Sequence, residues 1–238
     1  MSLFRRSSVK APRQSEAVQP FWISFSDLMT ALMALFLVAM SVALLAITHE
    51  ISQTEDQKAS REEDIDQFMA TLTAATAAFP GVSVRGRVVD FGDRARFETN
   101  SHQLNPEQAH LLRAVTPQIL ALSQNPLGKK WLKRIVVEGF ADARGSYLYN
   151  LNLSLQRSER LLCVLLAANA PDALSAEERL MVRDLFLVSG SSFNALKASQ
   201  EESRRIELRL EFLELGEGRQ ASHTLPLEAE PRCPLDIR

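Results

Sequence analysis

One uninterrupted apolar segment, residues 21–47, constrains this chain more than any other feature. It is long enough to cross the hydrocarbon core of a bilayer, which takes about 20 residues of helix. Asp27 is the only charged residue in this segment. If Phe21 lies near the membrane edge, Asp27 lies about 9 Å deep at the helical rise of about 1.5 Å per residue. A carboxyl at such a depth costs about 2.5–3.5 kcal/mol on insertion scales, so residues of this kind are rare and usually functional.

Two roles for Asp27 follow from its position. An apolar environment favours the neutral form of a carboxyl, so Asp27 is suited to take up and release a proton as part of a relay. Alternatively, it stays protonated and only joins helices through hydrogen bonds. The position of Asp27 leaves both roles open.

The two faces of the predicted helix differ in side-chain size. The face of Asp27 carries mostly small or weakly polar residues, which permit close packing of membrane helices: Ile23, Thr30, Ala31, Ala34, Val38 and Ser41. The opposite face is bulky, with Phe25, Met29, Leu32, Phe36 and Met40. A single helix does not shield an aspartate from lipid, so the sequence predicts a partner protein with further membrane spans.

The flanks of the apolar segment differ in charge. Residues 1–20 carry four basic residues against Glu16 alone, whereas acids outnumber bases in residues 49–66. Basic flanks stay on the cytoplasmic side, so we expect the N-terminus inside and the C-terminus exported. The length of the segment and the presence of Asp27 argue against a cleaved signal peptide. The net charge of −2 gives no reason to expect a nucleic acid partner.

Composition divides the chain into five parts. Residues 1–20 form a cytoplasmic N-terminal tail, and residues 21–47 form the transmembrane helix. Residues 48–80 form an exported linker with helical spacing, which ends at a Pro-Gly pair that breaks helices. Residues 81–215 form a globular domain. Residues 216–238, rich in Pro, Gly and charge, form a C-terminal tail that we expect to be extended.

The globular part alternates between strand and helix patterns. Four segments have the alternation or apolar run of strands: VSVRGRVVDF, KRIVVEGFA, LFLVSG and RRIELRLEFLEL. A helix is predicted from Asn105-Pro106 onward, because Asn caps helices and Pro suits their first turn. Pro117 lies inside this pattern and predicts either a kinked helix or two helices. SYLYNLNLSLQRSERLLCVLLAAN and SAEERLMVRDL predict further helices. The fold class is therefore an α/β (α+β) sandwich, one sheet covered by helices on one face, behind a single N-terminal transmembrane helix.

Cys163 and Cys233 are the two cysteines, and both follow the membrane segment. On the exported side of a bacterial membrane they meet an oxidising environment. One interpretation is a disulfide that ties the tail to the domain. The other is a buried Cys163 and a free thiol at Cys233, and geometry rather than sequence decides between them.

Motifs for catalysis and metal binding are missing from the sequence. His49, His102, His110 and His223 lack the spacing of metal ligands. There is no G-x-S-x-G, P-loop or paired catalytic carboxylate motif. We therefore expect no enzyme activity, no cofactor and no metal.

The segment WISFSDLMTALMALFLV, which runs from Trp22 to Val38, resembles the transmembrane helix of MotB-type stator subunits. That family has an aromatic residue, a short spacer, an aspartate and a helix rich in Met, Thr and Ala. The resemblance implies that Asp27 carries protons. It also implies a bacterial inner-membrane location, a dimer of this chain, and a pentameric ring of MotA-like subunits around that dimer.

A second resemblance, over residues 85–215, is to the OmpA-like peptidoglycan-binding domain. The family pattern G-x-T-D-x-x-G, then N-x-x-L-S-x-x-R-A, is similar to Gly139-Phe140-Ala141-Asp142, Gly145, Asn150, Leu153-Ser154 and Arg157. The resemblance implies that Asp142 and Arg157 grip the diaminopimelate of the peptidoglycan stem peptide. An aspartate and an arginine complement its ammonium and carboxylate through strong charged hydrogen bonds. Asn150, Leu153 and Tyr149 would frame the pocket.

The chain departs from the family pattern at Ala141, Ser158 and Ser203, where the family has Thr, Ala and Asn. These departures bear on the affinity for a ligand more than on the fold. A ligand-free alternative also stays open, in which Asp142 and Arg157 form a charge pair that joins the loop to the helix.

Together the two resemblances imply a stator subunit that is driven by protons and anchored to the cell wall. The short linker is most similar to the B subunits of antiphage defence complexes within this family. A flagellar stator subunit is the alternative. A passive peptidoglycan-binding tether is the second alternative, although such a tether has no use for Asp27. Stoichiometry and the choice between protons and sodium stay open at this level.

Overall fold

A computed structural model describes residues 19–219 and 232–236, with side chains from residue 25 onward. The predicted N-terminal tail and most of the predicted C-terminal tail lie outside these residues. The chain forms two compact units, Met1–Asp56 and Gln57–Arg238. Each unit is described by itself below.

The first unit contains the apolar part of helix α1, which spans Gln19–Thr76. This helix is long and apolar enough to cross a membrane. Large apolar side chains from Phe25 to Ile51 are exposed, which leaves them for lipid or for another protein. The hydroxyls of Thr30 and Ser41 donate to carbonyl oxygens of the preceding turn, at 3.0 Å to Ser26 and 2.7 Å to Leu37. The helix therefore satisfies these small polar groups itself, and Asp27 stays as the exposed charged group.

The second unit contains a five-stranded mixed sheet in the order β1–β2–β5–β3–β4. The strands are β1 Ser83–Arg85, β2 Val88–Asp90, β3 Leu132–Gly139, β4 Phe186–Gly190 and β5 Ile206–Phe212. Strands β3 and β4 are parallel, and the other neighbours are antiparallel. Strand β3 is mostly buried and forms the second-last position of the sheet. The predicted α/β class is confirmed.

The first predicted strand is a hairpin rather than one strand. Arg85 pairs with Val88, so Gly86 and Arg87 alone form the turn between β1 and β2. Gly86 has a φ of 57°, which a two-residue hairpin turn requires and which glycine adopts without strain. The prediction of a single strand was wrong because the alternation of apolar residues continues through so short a turn.

Five helices follow α1, and they join the strands: α2 Pro106–Ser123, α3 Pro126–Trp131, α4 Tyr147–Leu166, α5 Ala176–Leu185 and α6 Gln200–Ser203. Asn105 caps α2 as predicted, and it forms a reciprocal capping box with Gln108. Pro117 lies inside α2, which continues past it, so the alternative of two separate helices is wrong. Two short 3-10 turns, Gly92–Ala95 and Pro234–Asp236, complete the described elements.

The last turns of α1 belong to the core of the second unit. Ile65, Phe68 and Leu72 are at most 1% exposed and lie in the same apolar cluster as the sheet. Arg61 donates from Nε to the carbonyl of Leu213 at 2.7 Å, just beyond the end of β5. The segment predicted as a linker, residues 48–80, is therefore helical up to Thr76, and its second half packs in the core. The compact unit begins before residue 81.

The described part of the C-terminal segment is tied to α4. Cys163 of α4 and Cys233 form a disulfide, with their Cα atoms 5.3 Å apart. Arg160, one turn earlier, forms a two-pronged ion pair with Asp236, at 3.2 Å and 2.7 Å. Of the two interpretations of the cysteines, the structure has the disulfide. Residues 232–236 are held to the domain by both contacts.

Candidate functional site

The candidate site lies in the loop between β3 and α4, where the backbones of the two elements touch. A Cβ atom added to Gly139 at the end of β3 would fall on the carbonyl oxygen of Ser154 in α4. One added to Gly190 at the end of β4 would lie 2.6 Å from Oγ of Ser154. The two glycines therefore let α4 pack directly on the strand ends. This close approach sets the position of the connecting loop, and therefore of Asp142, relative to the strand ends.

Asp142 is 6% exposed and accepts hydrogen bonds from two arginines. Its Oδ2 lies 2.6 Å from Nη2 of Arg144 and 3.2 Å from Nη1 of Arg204. The backbone N–H of Arg144 donates to its Oδ1 at 3.1 Å. Burial alone would raise the pKa of the Asp142 carboxyl, but the bonds from Arg144 and Arg204 outweigh it and hold this pKa below the ordinary value. Asp142 is therefore an anion at neutral pH.

Asn150 and Gly145 hold the loop in place. Asn150 is 1% exposed, and its Nδ2 donates to the carbonyl oxygen of Arg144 at 2.8 Å. Gly145 has a φ of 98°, a conformation that strains residues with a Cβ. Ser146 then caps α4 by accepting from the backbone N–H of Tyr149. Asn150 was predicted to frame the pocket. In the structure it holds the backbone of Arg144 within the loop.

Arg157 of α4 is 1% exposed and is surrounded by backbone carbonyls. Its Nε donates to Ser101 at 3.0 Å, its Nη1 to Phe140 at 2.6 Å and its Nη2 to Glu98 at 3.1 Å. The guanidinium also stacks over the ring of Phe97, 4.9 Å from its centroid. Burial lowers the pKa of Arg157 to about 10, which leaves it charged at neutral pH.

The structure therefore brings Asp142 and Arg157 into one region but gives them different partners. The ion partners of Asp142 are Arg144 and Arg204, so the direct charge pair with Arg157 that the ligand-free alternative assumed is replaced by these contacts. Of the predicted pocket residues, Leu153 is buried at 6% exposure, whereas Tyr149 is 48% exposed. Arg144 and Arg204 were not among the residues predicted from the sequence. Arg204 begins the predicted strand segment RRIELRLEFLEL, but its contact with Asp142 joins positions 62 residues apart and has no local signal.

The described side chains were also compared with the requirements of a metal site. Within residues 25–219 and 232–236, no group of three or more His, Cys, Asp or Glu side chains is placed to hold a metal ion. The chemistry that the candidate loop offers is charged hydrogen bonding, from one carboxylate and three guanidinium groups.

Comparisons with known proteins give matches to different parts of the chain. Residues 5–48 match a family model described as "Membrane MotB of proton-channel complex MotA/MotB". Among solved structures, the periplasmic domain of Helicobacter pylori MotB aligns at 14% identity and a TM-score of 0.37, covering 55% of this chain and 80% of that one. The OmpA-like domain of FopA1 from Francisella tularensis aligns at 15% identity and a TM-score of 0.35, covering 56% and 82%.

The chain therefore joins one long apolar helix, which overlaps the segment matched by the MotB family model, to a mixed-sheet α/β domain, and these two parts define its class. A curated relative narrows the class further. Zorya protein ZorB of Escherichia coli O139:H28 is 44% identical over 216 residues, which are 89% of this chain and 88% of that protein. The chain therefore belongs to the ZorB family.

Proposed function

We propose that this chain is the wall-anchored B subunit of a proton-driven rotary motor in Zorya-type antiphage defence. Asp27 carries the proton, and the domain that begins at Gln57 holds the subunit to peptidoglycan. Two copies act together inside a pentameric ring of MotA-like (ZorA-like) subunits in the bacterial inner membrane. The N-terminus is cytoplasmic and the domain periplasmic, an orientation that the charge of the flanks and the disulfide of Cys163 and Cys233 both support.

Asp27 is the observation that carries this proposal. It is the only charged residue between Phe21 and Thr48, it lies within the segment matched by the MotB family model, and it is exposed on α1. Burial of neutral Asp27 in apolar surroundings costs little free energy, whereas burial of charged Asp27 is costly unless water or hydrogen-bond donors contact it. Alternation between the two states favours two arrangements of the surrounding helices in turn. A proton that crosses the membrane supplies about 2.3 kcal/mol per 100 mV of potential to this cycle.

Asp27→Asn tests the motor, because asparagine keeps the shape of the side chain and does not titrate. We expect plaque counts on cells that carry the complete defence system to rise to the level without the system. Ser41→Ala is the matched control, because it removes a polar group from the same helix. The Ser41 hydroxyl bonds only the carbonyl of Leu37 in that helix, so plaque counts should stay at the level of wild type. Co-purification with the MotA-like subunit should survive both changes. Full defence with Asp27→Asn in an assembled complex would reject the proton-carrying role.

Binding to the diaminopimelate stem peptide is the second part of the proposal. Asp142 supplies a negative charge at neutral pH in a loop that Asn150 and α4 hold in place. Two buried arginines of the same region, Arg157 and Arg204, supply the positive charge that a ligand carboxylate requires. Tyr149 offers an exposed ring beside Gly145 of the loop, and Leu153 is buried one turn further along α4.

Retention of the full chain on purified peptidoglycan tests this binding. Asp142→Asn should reduce the retained fraction at least tenfold, because the ligand ammonium loses its charged partner. Asp172→Asn is the matched control, since Asp172 also pairs with an arginine, Arg113 at 2.7 Å, on a different part of the domain. Equal retention of Asp142→Asn and wild type would exclude this site as the wall contact.

A flagellar stator subunit is the second candidate, favoured only by the MotB family match of residues 5–48. Swimming and plaque assays in a strain that lacks this chain separate the two functions. Loss of swimming with unchanged plaque counts would favour the flagellar role. A passive tether, the remaining alternative, predicts that Asp27→Asn has no effect in either assay.

A further inference from the structure

Arg144 lies over the carboxylate of the candidate wall site in this structure. The side chain of Asp142 is only 8% exposed, although it lies in a surface loop, while that of Arg144 above it is 47% exposed. Nη2 of Arg144 also donates to Oγ1 of Thr99 at 3.0 Å. Arg144 thus reaches from the β3–α4 loop to the loop that contains Thr99, and it covers Asp142 from solvent.

The two arginines on Asp142 differ in how firmly they are held. The side chain of Arg204 is 9% exposed, and its Nε also donates to the carbonyl of Phe97 at 2.9 Å. Arg204 is therefore held in place beneath the surface of the site. Arg144 donates to Oδ2 of Asp142 from Nε at 3.2 Å and from Nη2 at 2.6 Å, but its side chain is half exposed, so water can take over the hydrogen bonds of its guanidinium when it leaves. A ligand cation can therefore replace Arg144 far more easily than Arg204.

The backbone of Arg144 stays in place when its side chain moves. Its N–H donates to Oδ1 of Asp142 at 3.1 Å, and its carbonyl accepts from Nδ2 of buried Asn150 at 2.8 Å. The turn depends on these two bonds and on Gly145, rather than on the guanidinium. The side chain can swing about a fixed backbone, and the loop keeps its shape.

We propose that the Arg144 side chain is a latch on the wall site, which occupies Asp142 in the ligand-free protein and leaves when a ligand ammonium takes its place. The inference rests on the proposed binding of peptidoglycan by this loop. The latch selects for ligands that bring a cation, because only a cation compensates Asp142 for the lost guanidinium. A site that is closed for part of the time binds with an affinity reduced by its open fraction.

Calorimetric titration of the full chain in detergent with meso-diaminopimelate tests the latch. Arg144→Met keeps the apolar stem and removes the charge, so it should bind about three- to tenfold more tightly than wild type, as expected when a site open for about 10–30% of the time becomes fully open. Arg144→Gln should behave in the same way. Arg134→Met is the matched control, because Arg134 is 42% exposed and pairs with Glu211 at the other end of β3. It should bind like wild type.

The outcomes separate the latch from the wall site itself. Binding by Arg144→Met alone would also support the latch, with wild type then mostly closed. Equal or weaker binding by Arg144→Met, beside clear binding by wild type, would overturn the latch and leave the wall site standing. Weaker binding would assign Arg144 to the ligand carboxylate instead. No binding by either protein would reject the wall site and the latch together.

Discussion

At the scale of single residues, Arg157 stands out as the largest fully buried side chain of the described residues. A buried guanidinium is tolerated only when its donors are satisfied. Here three carbonyls of two loops, those of Glu98, Ser101 and Phe140, accept from it. Arg157 therefore holds together the β3–α4 loop, which contains Asp142, and the loop that contains Glu98 and Ser101.

Arg157→Ala should destabilise the domain as well as the site. It would leave the buried carbonyl of Phe140 without this donor, and an unpaired buried group costs about 1–3 kcal/mol, while water can reach the part-buried carbonyls of Glu98 and Ser101. We expect a loss of about 1–3 kcal/mol in the free energy of unfolding, measured by denaturant titration of the full chain in detergent. Arg157→Lys keeps the charge but loses the forked geometry, so its loss should be smaller. If Arg157→Ala unfolded like wild type, the carbonyl contacts would not matter for stability.

Asp142 should make stability depend on pH in a defined direction. Its pKa is lower in the folded protein than in the unfolded chain, so its contribution is complete above the ordinary carboxyl range and is lost as the pH falls through its folded value. Wild type should exceed Asp142→Asn in melting temperature at pH 7. The difference should begin to shrink as the pH falls below about 4, the ordinary range of an aspartate, because the unfolded chain takes up the proton first. A difference that grows on acidification would contradict this assignment of charge.

At the scale of elements, the sequence predicted those whose signals are local. The cap at Asn105 predicted α2, and the residue patterns of two further segments predicted α4 and β5. Helix α3 was not predicted, although Asn125-Pro126 repeats the signal of Asn105-Pro106, because its six residues are too few to show a helical pattern. The spacing of Ile65, Phe68 and Leu72 fits one helix face, but what that face contacts is a matter of tertiary structure.

The candidate site was predictable to a similar degree. Asp142 and Arg157 follow from a sequence signature, and the buried Asn150 follows with them. The contact of Arg204 with Asp142 joins positions 62 residues apart, so no local pattern contains it. Arg144 was overlooked because its neighbours in the signature are the informative positions. Side-chain placement, rather than element type, was what the sequence could not supply.

Gly139 tests the packing of α4 on β3. Because a Cβ there would overlap the backbone of Ser154, Gly139→Ala must push the helix away from the strand. Overpacking of this kind costs about 1–3 kcal/mol, and it should also weaken retention on peptidoglycan, because the loop of Asp142 joins the two elements. Gly218→Ala is the control, since nothing lies within 4 Å of a Cβ at Gly218. Equal unfolding curves for the two variants would contradict the close approach.

The disulfide joins α4 to the C-terminal segment across 70 residues that contain α5, β4, α6 and β5. Closing a loop of this length restricts the unfolded chain and typically stabilises by about 2–4 kcal/mol. Cys163→Ser with Cys233→Ser should lower the free energy of unfolding by about that amount. Reductant should bring wild type to the same level and leave the double variant unchanged. Insensitivity of wild type to reductant would mean that the bond contributes nothing.

At the scale of the whole molecule, the proposed motor acts at two places. Force arises at Asp27 in the membrane and is resisted where the domain holds the cell wall. The residues that act at the two places lie in different compact units, Asp27 in Met1–Asp56 and Asp142 in Gln57–Arg238. A motor needs both places, because a proton-driven subunit without an anchor would turn with its partner. The two places can nevertheless be disabled one at a time.

Asp27→Asn and Asp142→Asn should therefore abolish defence in the same plaque assay for opposite reasons. Asp27→Asn should stay on purified peptidoglycan as wild type does, because its wall unit is unchanged. Asp142→Asn should keep proton flux through the assembled complex in vesicles, measured with an internal pH dye, because its membrane unit is unchanged. Loss of wall retention in Asp27→Asn, or of flux in Asp142→Asn, would mean that the two places are coupled. Restraint by the wall would then be a condition for proton transfer at Asp27 as well as for torque.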